Sequence, residues 1–249
     1  FRRVLFRSKK GVDKNNYFRR RYGTQVLEDG LMSESQFFLI ALGTGVVALL
    51  CAAYLVMVVG MPVLYLTLVG AFFVVFYTWP LKHFALGEIS VLLVWGPLLV
   101  AGSAYVMTGT VTAEMLVVSL VYAVGPTLVI MGKHIDKFDD DSERQVRSLP
   151  VVLGHQIARQ VCLGLLGFQV LLLLVMIAAG WYWLGLCLLA APRAWSLVKA
   201  FREPAPGAKP ANYPDDIWPL WYAAFGFGFS RDFGLLLTLA LILEWTIGA

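Results

Sequence analysis

Residues 112–154 read TAEMLVVSLVYAVGPTLVIMGKHIDKFDDDSERQVRSLPVVLG. The first half carries no charge between Glu114 and Lys133 and is long enough to cross a bilayer, since about 20 helical residues span the hydrocarbon core. The second half is dense in charge. Asp136, Asp139, Asp140 and Glu143 fall at i, i+3, i+4 and i+7, which on one helix puts them on one face. On the same helix Asp141 points about 140° away from Asp136. Lys133, Lys137, Arg144 and Arg147 flank the acids. Such a patch repels itself unless something neutralises it. One reading is a divalent cation. Mg²⁺ takes one or two protein carboxylates and fills its shell with water and substrate phosphate, so Asp136 and Asp140 suit it, with Asp139 or Glu143 assisting through water. The plain alternative is a solvated helix end laced by ion pairs such as Asp140 with Arg144.

Outward from this stretch, apolar runs recur at about 36–59, 62–79, 88–108, 157–179, 181–199 and 233–248. With 112–132 they make seven expected spans of an all-α, polytopic membrane bundle. Bulk composition agrees: 59% of the 249 residues are hydrophobic and 14% charged, where soluble domains carry about 25% charge. Gly60-Met61-Pro62, Thr108-Gly109-Thr110 and Gly180 mark turns without Lys or Arg. The opposite loops hold Lys82, then Lys133 to Arg159, then Lys199, Arg202 and Lys209, and nine of the twenty Lys/Arg lie before residue 22. The positive-inside rule places that basic arm and those loops in the cytoplasm, together with every polar motif. A nucleic-acid partner does not fit a chain whose bulk belongs in the lipid bilayer. Residues 217–230 (IWPLWYAAFGFGFS) read as an interfacial or re-entrant segment, being short and glycine-rich. Cys51, Cys162 and Cys187 lie in apolar runs without ligand spacing and read as packing residues. Gly43, Gly45 and the 226–228 glycines read as helix-packing sites.

Two further clusters are chemically suggestive. Tyr77-Thr78-Trp79-Pro80-Leu81-Lys82-His83 closes one span, and Gly87-Glu88 opens the next. Pro80 ends the helix. Lys82 could meet a phosphate oxygen and Tyr77 could donate a hydrogen bond; a positive-inside anchor with an interfacial aromatic is the plainer reading. The basic arm contains Asp13, a metal or phosphate contact in its most specific reading. Ser33 reads as the N-cap of the first span, with Gln36 completing only part of a capping box.

Taken in order, these pieces resemble the UbiA superfamily of intramembrane aromatic prenyltransferases, most closely its menaquinone-type branch, which prenylates 1,4-dihydroxy-2-naphthoate. Asp136-x-x-x-Asp140 followed by Arg147-Ser148-Leu149-Pro150-Val151-Val152-Leu153-Gly154 is similar to the second Asp-rich motif of that family and its tail. Tyr77-Thr78-x-Pro80, Gly87-Glu88-Ile89-Ser90-Val91 and Trp95-Gly96-Pro97-Leu98 resemble its central loop and the following helix. The resemblance implies nine helices around a cavity open to the cytoplasm, and Mg²⁺ bound between two Asp-rich motifs to hold an isoprenyl diphosphate. It further implies an aromatic acceptor. Of the first motif only Lys9 to Asp13 is similar; Arg3, Val4 and Arg7 stand where the family has Asn and two Asp. The expectation is therefore a single domain over 1–249 with seven of nine helices, the first two absent and residues 1–8 foreign to the family.

On that resemblance, Asp136, Asp139, Asp140 and Asp13 are the expected metal ligands. Lys82, Lys133 and Arg147 are expected to bind the diphosphate, and Asp136, Asp140, Lys82 and Tyr77 to act in catalysis, Tyr77 by offering its π face to an allylic cation. Three other classes compete. A transporter with a cytoplasmic divalent-cation site would carry mid-span ionisable groups, which these spans nearly lack. A CDP-alcohol phosphatidyltransferase would carry Asp-Gly-x-x-Ala-Arg, which is missing. A non-catalytic membrane scaffold is compatible with the altered first motif.

Overall fold

A computed structural model describes residues 26–27 and 29–247; Asp13, the rest of the basic arm and the expected boundary at residue 8 lie outside them. The described residues contain helices and no strand, the expected all-α class. Two compact units divide the chain, Phe1–Trp79 and Pro80–Ala249.

In the first unit, α1 (Glu34–Val59) and α2 (Met61–Phe76) pack together. Ser33 starts α1 with a complete capping box: its Oγ accepts from Gln36 N at 3.2 Å and its own N–H donates to Gln36 Oε1 at 2.9 Å. Gly60 separates the helices at φ 110°, a left-handed-side conformation that a β-carbon resists. Among the described residues, a β-carbon on Gly43 or Gly45 would meet nothing within 4 Å, so neither is a close helix contact there. α1 buries no residue and α2 only Val63. Cys51 is also exposed. The α2 helix has 16 residues, about 24 Å at 1.5 Å per residue, and stops at Phe76 rather than 79 because Tyr77–Pro80 form a turn ahead of the proline.

The second unit contains α3 (Gly87–Thr108), α4 (Ala113–Asp136), α5 (Phe138–Glu143), α6 (Leu149–Leu153), α7 (His155–Ala178), α8 (Tyr182–Arg202) and α9 (Tyr222–Ile247). A short 3₁₀ turn, Leu81–Phe84, leads into α3. With α1, the helices α3, α4, α7, α8 and α9 are long and apolar enough to cross a membrane. Pro97 lacks an N–H, and α3 absorbs the missing bond by widening into a π-helix over Val94–Ala101.

α4 is the centre of this unit and packs on α3, α7 and α9. Val121, Val124, Leu128, Met131 and Ile135 recur on its buried faces, and Cys162 and Cys187 join the same core as packing residues. Lipid is as apolar as leucine, so close backbone approach rather than water exclusion holds such helices together. A β-carbon on Gly132 would lie 2.7 Å from the Tyr222 carbonyl carbon, and one on Gly96 would lie 2.8 Å from Ala123 Cβ. Both glycines are therefore contact points, Gly132 for α4 on α9 and Gly96 for α3 on α4.

Two expectations are overturned. Residues 222–230 do not form a separate interfacial segment; they are the first turns of the 26-residue α9. A β-carbon on Gly226 would lie 3.3 Å from the Leu128 carbonyl oxygen, so this glycine is a packing site of α9 on α4, whereas a β-carbon on Gly228 would meet nothing within 4 Å among the described residues. The acidic run is not one helix either. The backbone leaves the helical region at Lys137 (φ −107°, ψ 17°), and the chain restarts as α5. The i, i+4 relation of Asp136 to Asp140 is lost, and Asp141 is buried instead of pointing away.

Candidate active site

The starts of α3, α7 and α9 and the ends of α4 and α8 gather at one end of the second unit. Leu149 N donates to Glu88 Oε1 at 3.2 Å, Tyr222 N donates to Asp136 Oδ1 at 2.9 Å, and Arg159 Nη1 donates to the Arg202 carbonyl at 3.1 Å. The last of these places a cation at the negative end of the α8 dipole. Charged residues occupy this end because each sits just beyond an apolar run.

The acidic residues here serve different partners. Asp136 accepts from Tyr222 N through Oδ1 and from Ala223 N through Oδ2, both at 2.9 Å. It is a cap for α9 supplied by another helix, satisfying two amides that the first helical turn leaves open. Asp139 is exposed. Asp140 Oδ1 accepts from Arg144 Nε at 2.8 Å, and its Oδ2 faces Lys137 Nζ at 3.4 Å. That Oδ2 is buried and accepts no hydrogen bond. Asp141 Oδ2 accepts from His134 Nδ1 at 2.9 Å, and Lys137 Nζ stands 3.8 Å from Asp141 Oδ1. Burial pushes the Asp141 carboxyl up, but the His134 hydrogen bond and the charges of His134, Lys137 and Lys82 outweigh it and hold the group below the usual carboxylate range.

Behind Asp141 lies a polar layer that the residue spacing did not single out. His134 Nε2 faces Glu88 Oε1 at 3.8 Å, and both residues are buried. Ser148 is buried beside Leu149, with a hydroxyl that has no hydrogen-bond partner. The clue available was Glu88 itself, an ionisable residue opening an apolar span.

The structure thus gathers Lys82, Asp140 and Asp141, with Lys82 acting electrostatically on Asp141 and Glu88. Lys133 is half-buried in the last turn of α4 and Arg147 is exposed beyond α5. Tyr77 belongs to the first unit, where it caps α2 through its N–H to the Phe73 carbonyl at 2.9 Å.

Among the described residues, no three His, Cys, Asp or Glu side chains converge as a ready-made metal cage. Mg²⁺ needs fewer, one or two carboxylates with water and phosphate completing the shell. The Oδ2 of Asp140, which accepts no hydrogen bond though Lys137 Nζ stands 3.4 Å from it, and the exposed carboxylate of Asp139 fit that demand. Asp136 fits it less well, because backbone amides occupy both of its oxygens.

The sequence profile of the UbiA prenyltransferase family matches residues 13–223, which covers α1 to α8, the acidic end and the cap on α9. The chain belongs to the UbiA prenyltransferase family. A curated relative, UbiA prenyltransferase domain-containing protein 1 of Rattus norvegicus, is 26% identical over 204 residues. The alignment covers 79% of this chain and 58% of that relative, so the chain spans little more than half the relative's length. No solved structure matches the chain. For a UbiA family member, the gathered helix ends are the polar part of an otherwise apolar bundle.

Proposed function

We propose that this chain transfers an isoprenyl group from an isoprenyl diphosphate to an aromatic, quinone-precursor acceptor of the menaquinone type. We place the reaction at the cytoplasmic membrane surface and make it Mg²⁺-dependent. The observation that carries the proposal is Asp140, whose buried Oδ2 accepts no hydrogen bond and whose carboxylate is flanked by Lys137 and Arg144, in a UbiA family chain. A carboxylate with hydrogen-bonding capacity to spare, flanked by bases, offers both a cation ligand and neutralising charge to a polyanionic headgroup.

Asp140 and Asp139 would hold Mg²⁺, which supplies a Lewis acid against the charge developing on the leaving pyrophosphate. Lys82 is placed to neutralise diphosphate charge, with Lys133 and Arg147 as further bases on the same loops. In the reaction the C1–O bond of the allylic diphosphate breaks and its electron pair leaves with pyrophosphate. A ring carbon of the acceptor then bonds to C1, and the ring proton at that carbon is lost to solvent or phosphate. The apolar helices shield the allylic cation from water. Holding both reactants in one place lowers the entropic part of the barrier.

The test is pyrophosphate release from an isoprenyl diphosphate by the chain in liposomes, with 1,4-dihydroxy-2-naphthoate as acceptor. Release is expected to require Mg²⁺ and to fall steeply in Asp140→Asn and Lys82→Ala. Full activity in both variants, or ion flux without any chemistry, would sink the proposal.

A further inference from the structure

His134 stands between two carboxylates from distant parts of the chain. Its Nδ1 donates to Asp141 Oδ2 at 2.9 Å, and its Nε2 faces Glu88 Oε1 at 3.8 Å. The same Glu88 oxygen accepts from Leu149 N at 3.2 Å. The imidazole and Glu88 thus connect the start of α3, the end of α4, α5 and the first residue of α6.

α5 needs such an anchor. It has six residues, too few for a helix to hold itself, since isolated helices under about 12 residues are marginal. Its ion pairs of Asp140 with Lys137 and Arg144 are local, spaced i,i+3 and i,i+4, and bind the segment to itself. The Asp141–His134 bond and the Phe138–His155 ring contact (5.5 Å between centroids) tie it to neighbouring helices. Of the three consecutive acids, Asp141 is buried against the histidine, Asp140 is partly open and Asp139 is exposed. Fixing the first sets which way the other two face.

We infer that His134 is a positioning residue: through its hydrogen bond to Asp141 it sets the orientation of α5 and so presents Asp139 and Asp140 to a cation and its diphosphate. The inference rests on the proposed function, and His134 itself touches no substrate. Residues that orient metal-binding side chains typically change metal affinity about 10–100-fold when replaced.

Amide substitutions separate the two ring nitrogens. The Asn amide nitrogen sits near the place of Nδ1 and keeps the donor to Asp141. The Gln amide nitrogen sits near Nε2 and loses it. Mn²⁺ binding to the full chain in detergent, followed by electron paramagnetic resonance, reads the site without turnover. His134→Gln is expected to weaken Mn²⁺ binding about tenfold. It should raise the Mg²⁺ concentration for half-maximal pyrophosphate release by a similar factor, while kcat at saturating Mg²⁺ stays within about threefold. His134→Asn should restore Mn²⁺ affinity to within about twofold of the parent. Amide hydrogen exchange is the second readout: 137–144 should exchange faster in His134→Gln and α9 should not. The inference is overturned if His134→Gln binds Mn²⁺ like the parent, if His134→Asn falls with it, or if exchange speeds up equally in α9. If the parent chain binds no Mn²⁺ and releases no pyrophosphate, the proposed function fails, and the inference fails with it.

Discussion

The two sides of the helix break at Lys137 carry the same kind of residue in different work. On the α4 side, both oxygens of Asp136 are taken by the backbone amides of Tyr222 and Ala223. On the α5 side, Asp141 is held by His134, while Asp140 keeps one buried oxygen without a hydrogen-bond donor. Three residues separate a carboxylate that caps a helix from one able to take a ligand. An acidic run at a membrane-helix end is therefore not one site. Its members are sorted by which backbone and side-chain donors reach them first.

The sharpest way to break this comparison is Asp140→Asn. Removing one charge from an electrostatic site costs about 10²–10³ in rate, so pyrophosphate release should drop by that order, with the thermal midpoint in detergent little changed. Asp136→Asn should do the reverse. Its amide NH₂ would face an N–H donor at one of the two capping bonds, a loss of about 1–3 kcal/mol in stability, while activity per folded molecule stays within about threefold. Lost activity at an unchanged midpoint would move Asp136 into the reacting site. A smaller effect concerns pH. The folded-state pKa of Asp141 is depressed, so its stabilisation is present above the unfolded value near 3.9 and is lost as pH falls through the folded value. Thermal midpoints should therefore decline below about pH 4, and Asp141→Asn should flatten part of that decline. The smallest effect is Arg144→Ala. Its ion pair with Asp140 is local and partly exposed, so stability should change by about 0–1 kcal/mol in thermal unfolding.

The spans were legible because a membrane helix announces itself by length and apolarity alone. α1, α3, α4, α7 and α8 lie close to their expected bounds. Ser33 and Gln36 disclosed the start of α1, because a capping box is a local device. The acidic end was legible as a place and not as an arrangement. The bend at Lys137 is stabilised by partners remote in the chain: Tyr222 and Ala223 hold Asp136 from 86 and 87 residues away. Spacing within 136–143 contains none of this, so the run read as one continuous helix face. The start of α9 was hidden for the same reason, since its cap comes from α4 and its Gly226 rests on the Leu128 backbone. The role of His134 is not legible in the sequence, because an imidazole at a helix end has no distinctive spacing and its partners Glu88 and Asp141 meet it only in the fold.

The most direct test of the account is Mg²⁺-dependent binding of an isoprenyl diphosphate to the parent chain and to Asp140→Asn, measured by equilibrium titration in detergent. The account expects Mg²⁺ to tighten binding to the parent and to give no such gain in Asp140→Asn. Binding that ignores Mg²⁺ in the parent, or an Asp140→Asn variant that keeps the full gain, would contradict it.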